Sequence, residues 1–269
     1  MSLLHLLKMN GLRPKKGLGQ NFLVDGGVAD RIAEAAVRHA QGPWVEIGPG
    51  MGSLTCPLLS RTGALRVVEQ DASLIPLLIG QTTGLGKLEV VQGDALEVDF
   101  RQWAEELGGS LTIVANLPYQ ISTPLLFHLL RQGDAVAAMI LMFQKEVAER
   151  ITAQPGSKSY GILSVHSQLW LKVERLFDVL PHAFYPVPKV DSSVVRLLRR
   201  SMPLAHIEDT EFFRQVVQAA FGQRRKTLMN ALKTVEPHPA AWLKRAEIDP
   251  IRRGETLSVV EFACLAGAR

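Results

Sequence analysis

Between residues 43 and 141 the sequence alternates short apolar runs with longer stretches of helical periodicity, and this alternation strongly constrains the fold. The helical patterns cover residues 27–39, 54–61, 74–79 and 123–132. Strands that alternate with helices in this way form a parallel sheet with helices packed on its faces. We therefore predict a doubly wound α/β core, in which ligands bind beyond the carboxyl ends of the strands. The apolar runs predict strands at 44–47, 65–69, 88–92, 111–115 and 137–143.

The rest of the chain extends this core and adds a second domain. Apolar segments at 163–171, 173–180 and 190–198 are candidates for further strands at one edge of the sheet. After Pro203 the pattern becomes helical, and five apolar residues fall on one helix face. We predict a main domain at 1–200 and a small, all-helical domain at 201–269. The residues of that face are Phe212, Phe213, Val216, Val217 and Ala220.

Composition excludes several classes of protein. The chain is 47% hydrophobic and 21% charged, as expected of a packed globular fold. No apolar run approaches the roughly 18 residues that a membrane span needs, and no signal peptide is recognisable. The only cysteines, Cys56 and Cys264, lie far apart and outside any metal-ligand spacing, so we expect neither a disulfide nor a bound metal. These features predict a cytoplasmic protein.

Positive charge is concentrated in two segments. Residues 1–20 contain Lys8, Arg13, Lys15 and Lys16 and no acid, and residues 196–233 contain eight bases against three acids. The whole chain carries a net charge of only +4. Such clustering favours a polyanionic partner, although the same residues are also compatible with ordinary solvated helix faces.

A glycine-rich turn follows the first strand of the core. The segment Glu46-Ile-Gly-Pro-Gly-Met-Gly52 stands between that strand and a helical pattern, and its glycines let a ligand approach the backbone. At the end of the second strand, Glu69 is placed to accept hydrogen bonds from ribose hydroxyls. Dinucleotide sites usually have GxGxxG, whereas here the glycines at 48, 50 and 52 follow GxGxG after an acid. The turn therefore favours adenosylmethionine and a Rossmann-like methyltransferase sheet.

Two further strand ends carry polar residues. Asp94 follows the third strand, where it can accept from the adenine amino group of the cofactor or simply form an Asp turn. Asn116-Leu-Pro-Tyr119 follows the fourth strand. The Asn116 side chain and the Leu117 carbonyl can accept hydrogen bonds from an amino group, and Tyr119 offers a flat face for a base. This combination indicates methyl transfer to the 6-amino group of adenine, with positioning as the main catalytic device.

Five segments together resemble the rRNA adenine dimethyltransferase family. The resemblance is closest to the branch that dimethylates two adjacent adenosines in the terminal hairpin loop of bacterial 16S rRNA. The erythromycin-resistance branch, which acts on 23S rRNA, more often has Ile at the position of Leu117 and lacks the Arg-Arg-Lys-Thr-Leu sequence. The segments are 16–23, 46–52, 116–119, 184–192 and 221–230.

The resemblance implies roles for individual residues. Phe184 would sandwich the target adenine against Tyr119, although the residue taken on its own is more typical of a core aromatic. A base leaves its stack most easily from a loop. Arg224, Arg225 and Lys226 would contact RNA phosphates, unless some of them brace the domains. The residues implied to bind adenosylmethionine are Asn21, Leu23, Gly48, Gly50, Glu69, Asp94 and Asn116.

The resemblance also implies partners. We expect a monomer that uses adenosylmethionine without a metal, acts on 16S rRNA in the 30S subunit and takes part in ribosome biogenesis. Three alternatives stay open: a 23S rRNA methyltransferase of the resistance type, a non-enzymatic nucleic-acid-binding relative and, more remotely, a dinucleotide oxidoreductase.

Overall fold

A computed structural model describes residues 3–269, apart from the side chains of Leu3, Leu4, Lys8 and Lys16. The chain forms two compact units. The first comprises the chain up to Ala148 together with Glu174–Arg199, and the second comprises Glu149–Val173 and Arg200–Arg269. The predicted boundary at residue 200 is therefore incomplete, because residues 149–173 cluster with the helical C-terminal part. Their apolar side chains, including Val165 and Leu169, belong to the core of that second unit.

Nine strands are present in residues 3–269, and the predicted core strands are confirmed within one or two residues. The ranges are β1 Phe22–Leu23, β2 Trp44–Ile47, β3 Ala64–Glu69, β4 Lys87–Gln92, β5 Leu111–Asn116, β6 Val136–Gln144, β7 Leu171–Val179, β8 Phe184–Tyr185 and β9 Ser192–Arg199.

Seven of these strands form one sheet in the order β4-β3-β2-β5-β6-β9-β7. The strands from β4 to β6 are parallel, and β9 pairs with β6 antiparallel. The middle strands are buried on both faces, which is why they appear in the sequence as continuous apolar runs. Strand order reverses between β2 and β5, so the crevice between their carboxyl ends is where a doubly wound sheet binds ligands. The predicted α/β fold class is confirmed.

Helices surround this sheet and form the second unit. Asp25 and Asp99 cap α2 and α5, since each side chain accepts backbone N–H groups of the first turn. The ranges are α1 Leu3–Met9, α2 Gly26–His39, α3 Thr55–Thr62, α4 Ile75–Thr82, α5 Phe100–Glu106, α6 Ser122–Arg131, α7 Lys145–Thr152, α8 Ile162–Trp170, α9 Thr210–Gly222, α10 Leu228–Ala231, α11 Pro239–Arg245 and α12 Val259–Gly267.

The segment 163–171, a candidate strand from its sequence, is instead helix α8. Val165 and Leu169 are four residues apart and both buried, as expected of one helix face. At the start of the helix Gly161 donates its N–H to the Ser164 hydroxyl at 3.0 Å. A short apolar run does not distinguish a buried strand from a buried helix, and here the helical spacing prevailed. The other two candidates, 173–180 and 190–198, correspond to the sheet strands β7 and β9.

The predicted apolar face of the C-terminal helices is confirmed. All five of its residues are buried on α9, where they join the core of the second unit. Trp242 in α11 is also buried and donates its indole N–H to the Leu265 carbonyl at 2.6 Å, which ties α11 to α12. Across residues 3–269, no helix combines the length and apolar character needed to cross a membrane.

Candidate active site

A cleft of about 900 Å³, including its open mouth, lies at the carboxyl ends of β2, β3 and β5. Most of its lining residues come from five segments that contain residues singled out in the sequence. These are residues 18–23, 46–50, 69–70, 93–95 and 116–119.

The glycine turn forms the floor of this cleft. Gly48 and Gly50 have positive φ angles of 67° and 58°, which favour glycine. A Cβ built on Gly48 would meet no atom within 4 Å, whereas one on Gly50 would approach the Phe22 ring to 3.2 Å. Gly48 is thus open toward the cleft, and Gly50 leaves room for the N-terminal segment. The turn presents backbone to a ligand, as predicted.

Glu69 ends β3 beside this turn. Its carboxylate accepts the Gly50 N–H at 2.9 Å and the Asp71 N–H at 2.7 Å, one on each oxygen. Burial raises its pKa, while these two bonds favour the charged form. Each carboxylate oxygen has a second acceptor position. The carboxylate is therefore held in one orientation and can still accept two hydrogen bonds from hydroxyl groups.

Glu46, just before the first glycine, also lines the cleft, although sequence reasoning did not count it among the site residues. It is 1% exposed, and its Oε2 atom has no hydrogen-bond partner among the described residues. Burial raises its pKa to about 8; the Thr55 hydroxyl lowers it and the negative charge of Glu69 raises it. The signal in the sequence was an acid inside an otherwise apolar strand.

Asp94 lines the cleft and forms an Asp turn, while its contact with the adenine amino group of the cofactor stays a prediction. Its Oδ1 accepts the Leu96 N–H at 2.9 Å, and the Gln70 amide donates to Oδ2 at 3.5 Å. The turn fixes the carboxylate at the edge of the cleft, where one oxygen is only weakly engaged.

The segment 116–119 leaves the end of β5 and lines the neighbouring wall of the cleft. The Asn116 amide nitrogen donates to the Asn21 carbonyl at 3.2 Å, so its amide oxygen is the group able to accept from a ligand. The Tyr119 hydroxyl lies 2.8 Å from the hydroxyl of Ser192 at the start of β9. Burial raises the pKa of Tyr119, and the bond to Ser192 lowers it. Ser192 thus orients the Tyr119 ring, a role that its sequence alone did not indicate.

Phe184 is not brought into the cleft. Its side chain is 2% exposed and packs in the core of the first unit, and it is absent from the residues that line the site. In this conformation the ring has no free face for a base. The family resemblance implied that Phe184 lies opposite Tyr119, whereas the structure shows it buried against apolar neighbours, as expected of the residue taken on its own.

The N-terminal segment contributes Asn21 and Leu23 to the cleft, as the sequence predicted. It is fixed there by an acid that sequence reasoning missed. Lys15 Nζ lies 2.6 Å from Asp71 Oδ1, and the Gln20 amide donates to Asp71 Oδ2 at 2.9 Å. Lys15 is therefore already paired and is not a free cation for a polyanion. Lys8 and Lys16, from the same basic segment, have side chains outside the described residues.

Much of the basic character at 196–233 is also neutralised within each unit. Arg224 pairs with Glu255 at 3.2 Å and donates to the Lys158 carbonyl, whereas Arg225 and Lys226 are exposed. The predicted phosphate-binding trio thus contains one arginine with a structural role. Other paired bases in this segment are Arg196 with Glu174, Arg199 with Asp134, and Arg214 with Glu211.

Among residues 3–269, no group of three or more His, Cys, Asp or Glu side chains is arranged to hold a metal ion. Cys56 and Cys264 are both free thiols.

Known proteins resemble this chain over nearly its full length. Residues 11–264 match the family model described as ribosomal RNA adenine dimethylase. A ribosomal RNA small subunit methyltransferase A from Magnetococcus marinus is 52% identical over 97% of this chain and 94% of its own, and one from Pelotomaculum thermopropionicum is 45% identical over 97% and 93%.

Two solved structures share the fold. A dimethyladenosine transferase from Plasmodium falciparum superposes with a TM-score of 0.74 at 27% identity, covering 90% of this chain and 94% of that one. The 23S rRNA methyltransferase ErmE gives 0.71 at 26% identity, covering 92% and 98%. The match of the family model and the identity of these relatives show that this chain belongs to the ribosomal RNA adenine dimethylase family.

Proposed function

We propose that this protein transfers methyl groups from adenosylmethionine to the 6-amino groups of two adjacent adenosines in the 3′-terminal hairpin loop of 16S rRNA. The observation that carries the proposal is the position of Asn116 and Tyr119, a hydrogen-bonding amide and a base-stacking ring, on the wall of a glycine-floored cleft. Membership of the rRNA adenine dimethylase family supports the same chemistry.

The residues of the cleft fit the proposed donor. Glu69 has acceptor positions for both ribose hydroxyls, Gly48 is open toward the cleft, and Asp94 offers an oxygen for an adenine amino group. Asn21, Leu23 and Gly50 complete the proposed donor site. The bound donor would supply a methyl group already activated by its sulfonium, so the protein needs no covalent intermediate of its own.

The remaining chemistry is positioning of the amine. The 6-amino nitrogen of adenine is a weak nucleophile because its lone pair is delocalised into the ring. Hydrogen bonds from the amino group to the Asn116 amide oxygen and the Leu117 carbonyl would favour the geometry in which that lone pair is available. Tyr119 would hold the base by stacking, with its hydroxyl fixed by Ser192. Alignment of this kind contributes several kcal/mol, on the order of 7–11 in favourable intramolecular cases.

Phe184 enters this proposal as the second wall of the base site only if it leaves the core. It is the first residue of β8 and pairs with Leu23 of β1, a cleft residue, so we propose that a local shift of β8 brings it to the site. Entry of a flipped adenine is the step at which we propose this shift.

Arg225 and Lys226 are the proposed RNA contacts of the second unit. Both are exposed, and phosphate contacts would give binding that weakens with salt and carries little sequence information. Arg224 is left out of this set because of its pair with Glu255. We further propose that the protein is a monomer that acts on 30S subunits in the cytoplasm during their assembly.

A second candidate substrate is 23S rRNA. The similarity to ErmE, at a TM-score only 0.03 below that of the dimethyladenosine transferase, favours it. The 45–52% identity to small-subunit methyltransferases favours 16S rRNA more strongly.

Parallel transfer assays separate these substrates. Purified protein is incubated with methyl-labelled adenosylmethionine and either undermethylated 30S subunits or 23S rRNA, and the product nucleosides are analysed. Dimethyladenosine confined to 16S rRNA supports the proposal, and label in 23S rRNA supports the second candidate. Absence of label in both contradicts both and favours a nucleic-acid-binding role without catalysis.

A further inference from the structure

Asp71 is a buried acid next to the cleft that does not line it. Its side chain is 2% exposed and nevertheless accepts four hydrogen bonds. Ser73 supplies two of them, from its N–H at 3.1 Å and its hydroxyl at 2.6 Å. A carboxylate so deeply buried and so fully bonded is held in one position.

The other two bonds come from a segment more than fifty residues away. Lys15 and Gln20 each reach one oxygen of Asp71. Gln20 also accepts the Lys15 N–H on its own side-chain oxygen at 2.8 Å. Asp71 therefore closes residues 15–20 into a compact loop. We call residues 15–23 the N-terminal strap.

The far end of the strap contacts the residues proposed to carry out transfer. The Asn21 carbonyl accepts the amide N–H of Asn116 at 3.2 Å. A Cβ on Gly19 would lie 3.4 Å from the Gln120 side chain, so the strap also packs against the turn after Tyr119. One short segment thus joins Asp71 to Asn116.

An apolar cluster packs around Phe22 of the strap. Phe22 is buried with Leu7, Met51 and Leu74, which bring together helix α1, the glycine turn and the residue preceding α4. Asp71 contributes the polar part of the same attachment, since its main-chain N–H holds Glu69. Asp71 therefore holds Glu69 through its main chain and the strap through its side chain, and the strap in turn contacts Asn116.

We infer that Asp71 is a positioning residue: it fastens the N-terminal strap through Lys15 and Gln20 and thereby sets the Asn116 amide for its substrate. This inference rests on the proposed function for the role of Asn116, while the fastening itself is independent of it. Because the Asp71 carboxylate accepts all four bonds and Lys15 supplies only one of them, loss of the carboxylate should affect the strap more than loss of Lys15.

Hydrogen–deuterium exchange of the strap tests the fastening directly. Asp71→Asn keeps the size of the side chain, while Lys15→Met and Gln20→Ala remove its partners from the more exposed side and leave the core intact. Asp30→Asn, which removes an exposed ion pair with Arg61 in the same unit, is the matched control. We expect Asp71→Asn to speed exchange at residues 17–23 by at least about tenfold, Lys15→Met to have a smaller effect, and Asp30→Asn to have none.

A double-mutant cycle then tests whether Asp71 acts through Lys15, and kinetics test whether it affects methyl transfer. If Asp71 acts through Lys15, the Asp71→Asn/Lys15→Met double variant should exchange no faster than about twofold above Asp71→Asn alone. In transfer assays Asp71→Asn should raise KM for adenosylmethionine and lower kcat, with KM for RNA unchanged. A purely structural role would instead lower the melting temperature and leave these constants as they are at temperatures where every variant is folded.

Three results would overturn the inference: unchanged strap exchange in Asp71→Asn, additive effects of the Asp71 and Lys15 variants, or wild-type kinetics in a folded Asp71→Asn. Failure of the wild-type chain to methylate any RNA would contradict the proposed function instead. Exchange in the absence of ligand would still decide whether Asp71 fastens the strap.

Discussion

The half of the cleft proposed to bind the donor and the half proposed to bind the target base, here called the donor half and the base half, are held by different kinds of contact. In the donor half, the glycine turn and Glu69 are fixed by backbone hydrogen bonds and by positive φ angles. In the base half, Tyr119 is oriented by Ser192, but Phe184 is buried in the core. Backbone geometry thus fixes the donor half, whereas Phe184 would have to leave its apolar packing before it could stack on a base. We therefore expect the donor half to be preorganised and the base half to be completed by its substrate.

The largest expected effect is the loss of methyl transfer when Asn116, which lies between the donor half and the base half, is replaced. Asn116→Ala should abolish detectable transfer, a loss on the order of a thousandfold or more, because the amine would lose its acceptor. RNA binding should change little, since phosphate contacts dominate affinity. Labelled methyl transfer and filter binding measure the two quantities. Transfer at near the wild-type rate would show that Asn116 does not have the assigned role.

Substitutions of Phe184 test whether this residue belongs to the core, forms a wall of the base half, or does both. Phe184→Ala should destabilise the fold by about 3–5 kcal/mol, because it removes a large buried side chain. Phe184→Leu keeps most of the packing and should cost less than half as much. Denaturant unfolding gives both values.

Transfer by the leucine variant then sharpens the comparison. A folded Phe184→Leu protein that loses transfer by tenfold or more, with intact donor binding, would support a stacking role for the ring. Undiminished transfer would leave Phe184 as a core residue alone.

The pH dependence of the unfolding free energy measures what it costs to bury Glu46 beside the glycine turn. Its pKa is about 8 in the folded chain against an ordinary value of 4.5, so the unfolded chain loses this proton first as pH rises. Stability from Glu46 is therefore fully present below about pH 4.5 and declines as pH rises toward 8, by at most about 1.4 kcal/mol per pH unit. Glu46→Gln should remove this decline.

Unfolding free energies of wild type and Glu46→Gln at pH 5, 6.5 and 8 would show it. We expect the variant to gain on the order of 1–3 kcal/mol relative to wild type across that range. Glu34→Gln, which alters an exposed ion pair with Arg38, serves as the control and should track wild type. Parallel curves for Glu46→Gln and wild type would contradict the burial of an uncharged Glu46.

The smallest expected effect concerns the hydroxyl of Tyr119. Tyr119→Phe keeps the ring but loses the bond to Ser192, so stability should fall by about 1 kcal/mol and transfer by only a few fold. Thermal unfolding and single-turnover transfer measure these changes. A loss of transfer as large as that of Asn116→Ala would mean that the hydroxyl itself takes part in the reaction.

The sequence allowed prediction of those parts of the molecule that depend on local pattern. The strand ends, the glycine turn, Glu69 and Asn116 were recognisable because strand, turn and polar residue are neighbours in the chain. Helix α5 was not predicted, although Asp99 before Phe100 is a typical helix cap. The strand candidate at 163–171 was wrong because a short apolar run fits either structure.

Contacts between distant segments were beyond the reach of sequence patterns. Asp71 binds Lys15 across more than fifty residues, and Ser192 binds Tyr119 across more than seventy. Lys15 counted as a free cation in the basic segment at 1–20 because its acidic partner lies elsewhere in the chain. Arg224, for which an RNA contact and a bracing role were both open, pairs with Glu255, which follows it by 31 residues. Charge clustering in a sequence counts cations, whereas only the fold shows which are already paired.

The reversed direction of β9 has a consequence for how such a site can diversify. Because β9 is antiparallel to its neighbour β6, its first residue, Ser192, pairs with Gln144 at the last position of that strand. Residues 186–191, which lead into β9, therefore reach the carboxyl ends of the parallel strands without a crossover helix. Insertions or replacements there would reshape what the base half accepts while β2, β3 and β5 keep their register. Substrate choice and donor chemistry can thus evolve on separate pieces of chain.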